Sequence, residues 1–227
     1  MNNTCEGLAP QTRESQDAIT PKRAKELLLE GNERFVTQTA CHRDTDEYIE
    51  ASKNGQWPFA AVLCCIDSRV PAETIFDQAV GDIFTARVAG NFVNIDILGS
   101  LEYATAVAGS KLIVVLGHTG CGAVKSACLG VELGNITHLL SNIKPAVERI
   151  KREDGVTDPK ALPEKEFKAF AEKVALANVE LTIENMISQS PIIKELAEDP
   201  DRLAIVGAIY DVQSGKITTW EPFVIIG

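Results

Sequence analysis

The sequence predicts an α/β fold: a mostly parallel central sheet of about four strands plus an antiparallel edge strand, with helices on both faces and an N-terminal helical arm. Four apolar runs rich in β-forming residues recur along the 227 residues, and the stretches between them have helical periodicity. This alternation is typical of parallel strands joined by helices. A fifth run follows the fourth after a hairpin-sized turn at Ser214 and Gly215, which predicts the antiparallel edge strand.

Local signals predict the individual elements in chain order. Residues 1–18 are polar and are expected to form a flexible tail, which leaves residues 19–227 as a single domain. Thr20 and Pro21 predict the start of a helix near residues 21–38, because a hydroxyl can cap free amides and proline suits the first helical position. We expect strands at residues 59–65, 83–88, 112–117, 203–210 and 216–225, helices at 95–108 and 167–187, and a surface loop at 151–165.

Composition excludes several classes of function. The chain has 22 basic and 32 acidic side chains and a net charge of −10, so nucleic acid is not an expected partner. Its apolar runs are far shorter than the roughly 20 residues that span a bilayer. The first residues lack the apolar segment of a secretory signal, so we expect a cytoplasmic protein without a membrane partner. Six cysteines are too few for a disulfide scaffold and are expected to be buried, metal-bound or catalytic.

Chemically active side chains follow the first and third predicted strands. Cys65, Asp67 and Arg69 follow the first strand, and His118 and Cys121 follow the third. Because the carboxyl ends of parallel strands meet at one edge of a sheet, these five residues are expected to converge. Two thiolates and an imidazole favour zinc over calcium or magnesium. The sequence therefore predicts a zinc site with Cys65, His118 and Cys121 as ligands.

The fourth zinc position has two possible occupants. Asp67 can close the site by binding the metal, or Arg69 can hold Asp67 in a bidentate salt bridge and leave the position to water. Water bound to a catalytic zinc has its pKa lowered to about 7, which makes it a nucleophile at neutral pH. The arrangement with free water assigns catalytic roles to Asp67 and Arg69. Nearby glycines at 117, 120 and 122 are expected to let the backbone approach the metal closely.

The spacing Cys-x-Asp-x-Arg at 65–69 and His-x-x-Cys at 118–121 resembles the motif pair of the β-class carbonic anhydrases. The resemblance continues at residues 31–35, 67–71, 87–91, 101–104 and 207–215, and so covers most of the chain. It implies a catalytic domain in which zinc-bound hydroxide attacks CO2 and releases bicarbonate, with a proton passed to buffer or solvent. It also implies a homodimer or a higher even oligomer.

The same resemblance implies a narrow CO2 pocket at the dimer interface, with Gln56, Phe84 and Tyr103 at the positions of its lining residues. Some of these side chains are expected to serve the zinc of the partner subunit. Ala89 stands where the family has a β-branched pocket wall, and Gly122 is assigned to the same pocket. The tryptophan of the bicarbonate-switched branch is replaced by Val62, which indicates the plant-like branch without that regulation.

Other functions remain open at this point. Carbonyl sulfide and carbon disulfide hydrolases resemble this family and differ in the pocket wall rather than in the ligands. A non-enzymatic module is a second alternative, with zinc closed by four protein ligands or with the glycines at 117–122 binding an anion at a helix start. Cys64 is expected to face the core and to be structural.

Overall fold

The structure is a computed structural model that describes residues 8–219. Its sheet has five strands in the order β2-β1-β3-β4-β5. They are β1 (Ala60–Cys64), β2 (Ile83–Arg87), β3 (Leu112–His118), β4 (Ala204–Tyr210) and β5 (Ile217–Thr219). The first four are parallel, and β5 is antiparallel to β4. The predicted fold class is confirmed; the part of the predicted last strand beyond residue 219 lies outside the described residues.

Helices cover both faces of this sheet. They are α1 (Arg13–Ala18), α2 (Pro21–Val36), α3 (Thr45–Ser52), α4 (Ala72–Ile75), α5 (Ile95–Glu102), α6 (Gly122–Cys128), α7 (Gly134–Ser141), α8 (Lys144–Asp154), α9 (Glu164–Gln189) and α10 (Pro191–Ala197). A π-helical segment, Tyr103–Val107, continues α5, and a 3₁₀ turn, Pro159–Ala161, precedes α9. Among the described helices, none is both long and apolar enough to cross a bilayer.

Part of the segment predicted as a flexible tail is helical. Residues 13–18 form α1, which Thr12 and Ser15 cap reciprocally. Gln16 is buried, and its side-chain Nε2 donates hydrogen bonds of 2.8 Å to the carbonyl oxygens of Pro58 and Ala108. A polar side chain thus anchors this segment to the domain. Polar composition alone does not distinguish such an anchored segment from a flexible one.

The predicted surface loop at residues 151–165 also needs correction. Helix α8 continues to Asp154 and ends at Gly155, whose left-handed backbone suits a helix terminus. Val147 and Ile150 are buried on one face of α8, so its last turn continues a helix that is already packed. Helix α9 then begins at Glu164. The loop is therefore limited to the residues between these two helices.

The core lies on both faces of β1 and β3, whose residues are all buried. Helices α2 and α4 cover one face, and α5 and α9 cover the other. A third apolar cluster surrounds Cys65 and Cys121 at the carboxyl ends of the strands, with α6, α8 and α9 as its walls. Cys64 faces the first of these clusters, as predicted. Cys41, for which the sequence indicates no partner, is disulfide-bonded.

Candidate metal centre

Adjacent parallel strands bring the predicted ligands together. Strands β1 and β3 pair directly, with Cys64 opposite Leu116, so their carboxyl ends lie side by side. Cys65 follows β1, His118 is the last residue of β3, and Cys121 is the residue that precedes α6. All three residues are buried. The convergence predicted from the strand ends is confirmed.

The donor atoms have the spacing of a metal site. The two Sγ atoms and a ring nitrogen of His118 lie within 4.8 Å of one another. The Sγ atoms of Cys65 and Cys121 are 4.0 Å apart. Two thiolates on a tetrahedral zinc, each with a Zn–S bond of about 2.3 Å, lie about 3.8 Å apart. The cysteine pair therefore fits zinc with little movement.

The ring of His118 is oriented to bind a metal. Its Nδ1 lies 3.1 Å from the carbonyl oxygen of Thr119, and a hydrogen bond there places the proton on Nδ1. Its Nε2 is buried and has no hydrogen-bond partner in the described part of the chain. An unpartnered buried nitrogen is costly unless a ligand binds it, and histidine ligands commonly donate their other ring N–H to a carbonyl. This chemistry fits a metal ion at Nε2.

The two thiols are electrostatically different. The hydrogen bond with Cys121 lowers the pKa of Cys65, and contacts with His118 and the Gly90 amide lower it further, although burial opposes them. The same sulfur contact, together with burial, raises the pKa of Cys121. One proton is thus shared between the two sulfur atoms. A divalent cation would displace this proton and allow both groups to be thiolates.

Arg69 holds Asp67 at the edge of this group. The Oδ1 atom of Asp67 accepts hydrogen bonds from Arg69 Nε and from the Arg69 amide, both at 2.9 Å, and Oδ2 accepts one from Nη2 at 2.7 Å. These bonds hold the pKa of Asp67 well below its usual range. Asp67 Oδ2 lies 3.9 Å from His118 Nε2. Of the two arrangements considered above, the structure has the one in which Asp67 is paired with Arg69.

Arg87 is a further member of the site that sequence reasoning did not single out. Its Nε donates to the carbonyl oxygen of Cys65 at 3.0 Å, and its Nη2 donates to that of Asp67 at 2.7 Å. It therefore fixes the backbone that presents both residues. Arg87 lies at the end of β2, opposite Cys64. The sequence predicts that a strand ends near this position, but it does not show which strand pairs with β2.

The glycines near the site differ in what surrounds them. A Cβ on Gly117 would lie 2.7 Å from Val179 Cγ2 and 2.8 Å from Ile209 Cδ1, so this glycine allows α9 to pack closely on β3. Gly120 has a φ of 68° and open space around its Cα, which suits the turn between His118 and Cys121. Side chains of α9 and β4 thus border Gly117, and the expected approach of these glycines to the metal stays a prediction.

Two predicted pocket residues line a separate cavity. The rings of Phe84 and Tyr103 meet edge to face, with centroids 6.3 Å apart. They line a cavity of about 600 Å³ together with Ala61, Ile95, Leu101 and Ala104, and the metal-binding group is absent from its described lining. Tyr103 and Ile95 are 53% and 84% exposed. Within one chain, this cavity and the metal-binding group are thus distinct.

The other predicted pocket positions lie in different settings. Gln56 is exposed in the segment that leads into β1, and Ala89 is half-buried in the turn after β2. Gly122 begins α6 beside Cys121, with open space around it. Val62 is fully buried within β1. The pocket roles of Gln56, Ala89 and Gly122 stay predictions.

Sequence comparison agrees with this site. A family model described as carbonic anhydrase matches residues 60–217. A protein called carbonic anhydrase 2 from Mycobacterium tuberculosis is 36% identical over 203 residues, which cover 86% of this chain and 91% of that protein. A carbonic anhydrase from Mycolicibacterium smegmatis is 35% identical over 199 residues, which cover 87% of this chain and 92% of that protein. The relatives are thus similar over nearly their whole length.

Solved structures give the same family. A crystal structure from the study of two tetrameric β-carbonic anhydrases of Sordaria macrospora has a TM-score of 0.68 and 26% identity, and covers 87% of this chain and 97% of that chain. The Coccomyxa β-carbonic anhydrase in complex with acetazolamide has a TM-score of 0.67 and 25% identity, with coverages of 85% and 84%. With its five-stranded sheet and its Cys-His-Cys group, the chain belongs to the β-carbonic anhydrases, a family of zinc-dependent carbonate dehydratases.

Proposed function

We propose that this enzyme catalyses the reversible hydration of CO2 to bicarbonate and a proton, with zinc held by Cys65, His118 and Cys121. The observation that carries this proposal is the salt bridge between Arg69 and Asp67. It holds the Asp67 carboxylate 3.9 Å from His118 Nε2, so the carboxylate is not free to bind a metal. A metal held by three protein donors keeps a position for water, whereas a structural zinc has four protein ligands. The site therefore supports catalysis better than a purely structural metal.

The metal and its ligands divide the chemistry between them. Zinc, when bound, lowers the pKa of a coordinated water to about 7 and so supplies a nucleophile at neutral pH. Cys65 and Cys121 balance the charge of the cation with two thiolates. His118 keeps its lone pair at Nε2, because Nδ1 donates to the Thr119 carbonyl at 3.1 Å. The cluster of apolar side chains around these ligands limits access by bulk water.

Asp67 and Arg69 orient the reacting water. The salt bridge keeps the Asp67 carboxylate ionised, so it only accepts hydrogen bonds. In this state Asp67 would accept a hydrogen bond from the water on the metal and so direct an oxygen lone pair of that water toward CO2. Without Arg69, the carboxylate is free to take the fourth metal position and to exclude the water. Arg69 is 52% exposed, so solvent or buffer can reach this edge of the site and accept the released proton.

The partner we infer is a second copy of the chain. Strand β2 is at the edge of the sheet, and its Phe84 shares a cavity with Ile95 and Tyr103, which are 84% and 53% exposed. Exposed apolar side chains that lie close together are typical of an interface. We propose a homodimer or higher even oligomer in which Phe84 and Tyr103 line the pocket over the partner's zinc. The two Sordaria macrospora enzymes, which are tetrameric, support an assembly of this kind.

The compartment we propose is the cytoplasm. Disulfides are rare there, because glutathione and thioredoxin keep thiols reduced. Cys41 is disulfide-bonded in this structure. Because the cytoplasm is reducing, we expect this bond to be reduced in protein that is located there. Counting reactive thiols in protein that is alkylated at the moment of cell lysis tests the proposed compartment.

Stopped-flow measurement of CO2 hydration tests the function directly. Zinc-replete protein and a chelator-stripped sample are compared at about pH 8.5, above the expected pKa of the bound water. We expect rapid hydration that stripping abolishes and added zinc restores. Turnover of carbonyl sulfide without that of CO2 would assign the related hydrolase activity instead. Tightly bound zinc with neither activity would overturn the enzymatic assignment in favour of a closed zinc module.

A further inference from the structure

A buried asparagine on α9 lies next to the metal centre without belonging to the ligand set. Asn178 is 2% exposed. Its buried neighbours on α9 are mostly apolar, among them Val174 and Ala175, with Thr182 as the polar exception. Burial of an amide among apolar side chains is unfavourable unless the amide is hydrogen-bonded. The partner that Asn178 has is therefore informative about its role.

That partner is the turn that contacts the first predicted ligand. Asn178 Nδ2 donates to the carbonyl oxygen of Gly90 at 2.8 Å, a contact between positions 88 residues apart. The amide nitrogen of Gly90 donates to Cys65 Sγ at 3.3 Å. Gly90 is thus held by a side-chain amide on one side and contacts the sulfur on the other.

The backbone of this turn needs support. Gly90 has a φ of 82° and the next residue, Asn91, has a φ of 42°, so two successive residues are in the left-handed region. Glycine is favoured at position 90 because other residues rarely adopt this φ, and a Cβ there would also displace the Ile143 side chain, whose Cδ1 would lie 2.4 Å away. Asn91 is not a glycine, and the left-handed conformation is strained for it. Contacts from outside the turn, such as that of Asn178, stabilise such a conformation.

We propose that Asn178 is a positioning residue for the metal centre, acting through Gly90 on the sulfur of Cys65. The amide of Asn178 fixes the Gly90 turn so that its N–H points at the sulfur. A hydrogen bond to a ligating thiolate withdraws electron density from it and restricts its orientation, as outer partners of metal ligands generally do. This inference rests on the proposed function, because it requires a metal ion on Cys65.

The test uses Co²⁺ in place of zinc, since thiolate-to-cobalt charge transfer reports directly on the sulfur. In Asn178→Leu the amide is replaced by an apolar side chain of similar size. We expect its charge-transfer band to move to lower energy than in the wild type, because the sulfur loses a hydrogen bond. In chelator competition we expect its metal affinity to fall about tenfold, the lower end of the effect of lost outer contacts.

Asn32→Leu is the matched control. Asn32 is also a buried asparagine, 6% exposed, and its Nδ2 donates to the carbonyl oxygens of Ile75 and Gly215 at 3.0 and 2.9 Å. It contacts none of the proposed ligands through these bonds. We expect this variant to lose stability as Asn178→Leu does but to keep the wild-type cobalt band and metal affinity. Equal changes in both variants would overturn the positioning role and leave only a general effect of buried amides.

Two further results keep the inference separable from the proposed function. Wild-type protein that binds Co²⁺ without a thiolate band would overturn the metal site itself. A normal wild-type band that is unchanged in Asn178→Leu would overturn the role of Asn178 alone. If that variant does not fold, wild-type protein loaded with ¹¹³Cd is studied by NMR. A hydrogen bond from the Gly90 amide to the ligating sulfur gives a scalar coupling between the cadmium nucleus and the amide proton. Absence of that coupling would also overturn the inference.

Discussion

Two regions of the molecule differ in whether a single chain completes them. One is formed by the carboxyl ends of β1 and β3, and the other is the free edge of β2. At the first, Cys65, His118 and Cys121 are all buried within one chain, and their positions are fixed by the strands and by hydrogen bonds. At the second, Phe84 and Tyr103 line a cavity that is open on the side of the exposed Ile95. One region has its donor atoms already in place, whereas the other has apolar surface that no residue of the described range 8–219 covers.

This difference separates two tasks of the enzyme. Metal binding needs ligands fixed to within a few tenths of an ångström, which the core of a single chain provides. A pocket for a small apolar substrate needs enclosure, which a second copy can complete. The comparison predicts that substitutions at the metal centre abolish CO2 hydration in each chain. Substitutions at the β2 edge are expected to lower it by disturbing the contact between two chains.

Removal of a ligand has the largest expected effect. In Cys65→Ala the metal loses one of its proposed donors, so we expect zinc binding to fail and CO2 hydration to drop by at least about 10³-fold. Metal analysis and stopped flow check this result. Cys128→Ala is the control, since burial raises the pKa of Cys128 to about 12 and keeps it a neutral thiol outside the group. A normal rate in Cys65→Ala would contradict the ligand assignment.

Loss of Arg69 has the second largest expected effect. In Arg69→Ala the Asp67 carboxylate loses the two hydrogen bonds from the guanidinium and keeps only the one from the backbone amide, so it is free to bind the metal. We expect hydration to fall by about 10- to 100-fold while zinc content is unchanged. Arg69→Lys keeps the charge without the bidentate geometry, and an intermediate rate is expected. Full activity and unchanged metal geometry in Arg69→Ala would refute the proposed role.

A charge at the β2 edge has a smaller expected effect on activity. In Ile95→Glu a carboxylate replaces a side chain that is 84% exposed, so the folded chain tolerates it and an apolar interface does not. We expect smaller oligomers in light scattering, about tenfold lower hydration and one zinc per chain as before. Ile192→Glu on α10, where the residue is 46% exposed, is the control. An unchanged oligomer in Ile95→Glu would place the interface elsewhere.

The smallest effect on activity is expected at Asp82, which lies at the start of β2. Burial raises its pKa from 3.8 to about 6, so the folded state binds the proton more tightly than the unfolded state. The free energy of unfolding therefore decreases as the pH rises from about 4 to 6, and it stays at the lower value above pH 6. We expect Asp82→Asn to gain up to about 3 kcal/mol of unfolding free energy at pH 8 relative to pH 4. Denaturant unfolding at both pH values measures this difference, and a gain independent of pH would contradict it.

Sequence reasoning predicts the strands and the Cys-His-Cys group well because both depend on local patterns. Strand β3 is a run of buried apolar residues that ends at His118, and a parallel sheet places the ends of neighbouring strands together. The features that sequence reasoning does not predict depend on contacts between distant residues. Gln16 is anchored by Pro58 and Ala108, and Gly117 is required by the approach of α9. No pattern near either residue indicates its partner.

The outer contacts of the site are also invisible in the sequence. Arg87 and Asn178 donate hydrogen bonds to backbone carbonyl oxygens near the site, and every residue type has such a carbonyl. A motif search finds side chains that bind a metal, but it does not find side chains that hold the backbone of the ligands. Such residues are identified only when the fold is known.

A mixing experiment tests most directly that each chain holds its own metal while a second copy completes the pocket. Cys65→Ser chains keep Phe84 and Tyr103 but lack a ligand, and Phe84→Ala/Tyr103→Ala chains keep the ligands but lack the wall. Each alone is expected to be nearly inactive. After co-refolding in equal amounts, half of the dimers are mixed and have one working site of two, so we predict about a quarter of wild-type CO2 hydration. Activity no greater than that of the separate variants would contradict the shared pocket.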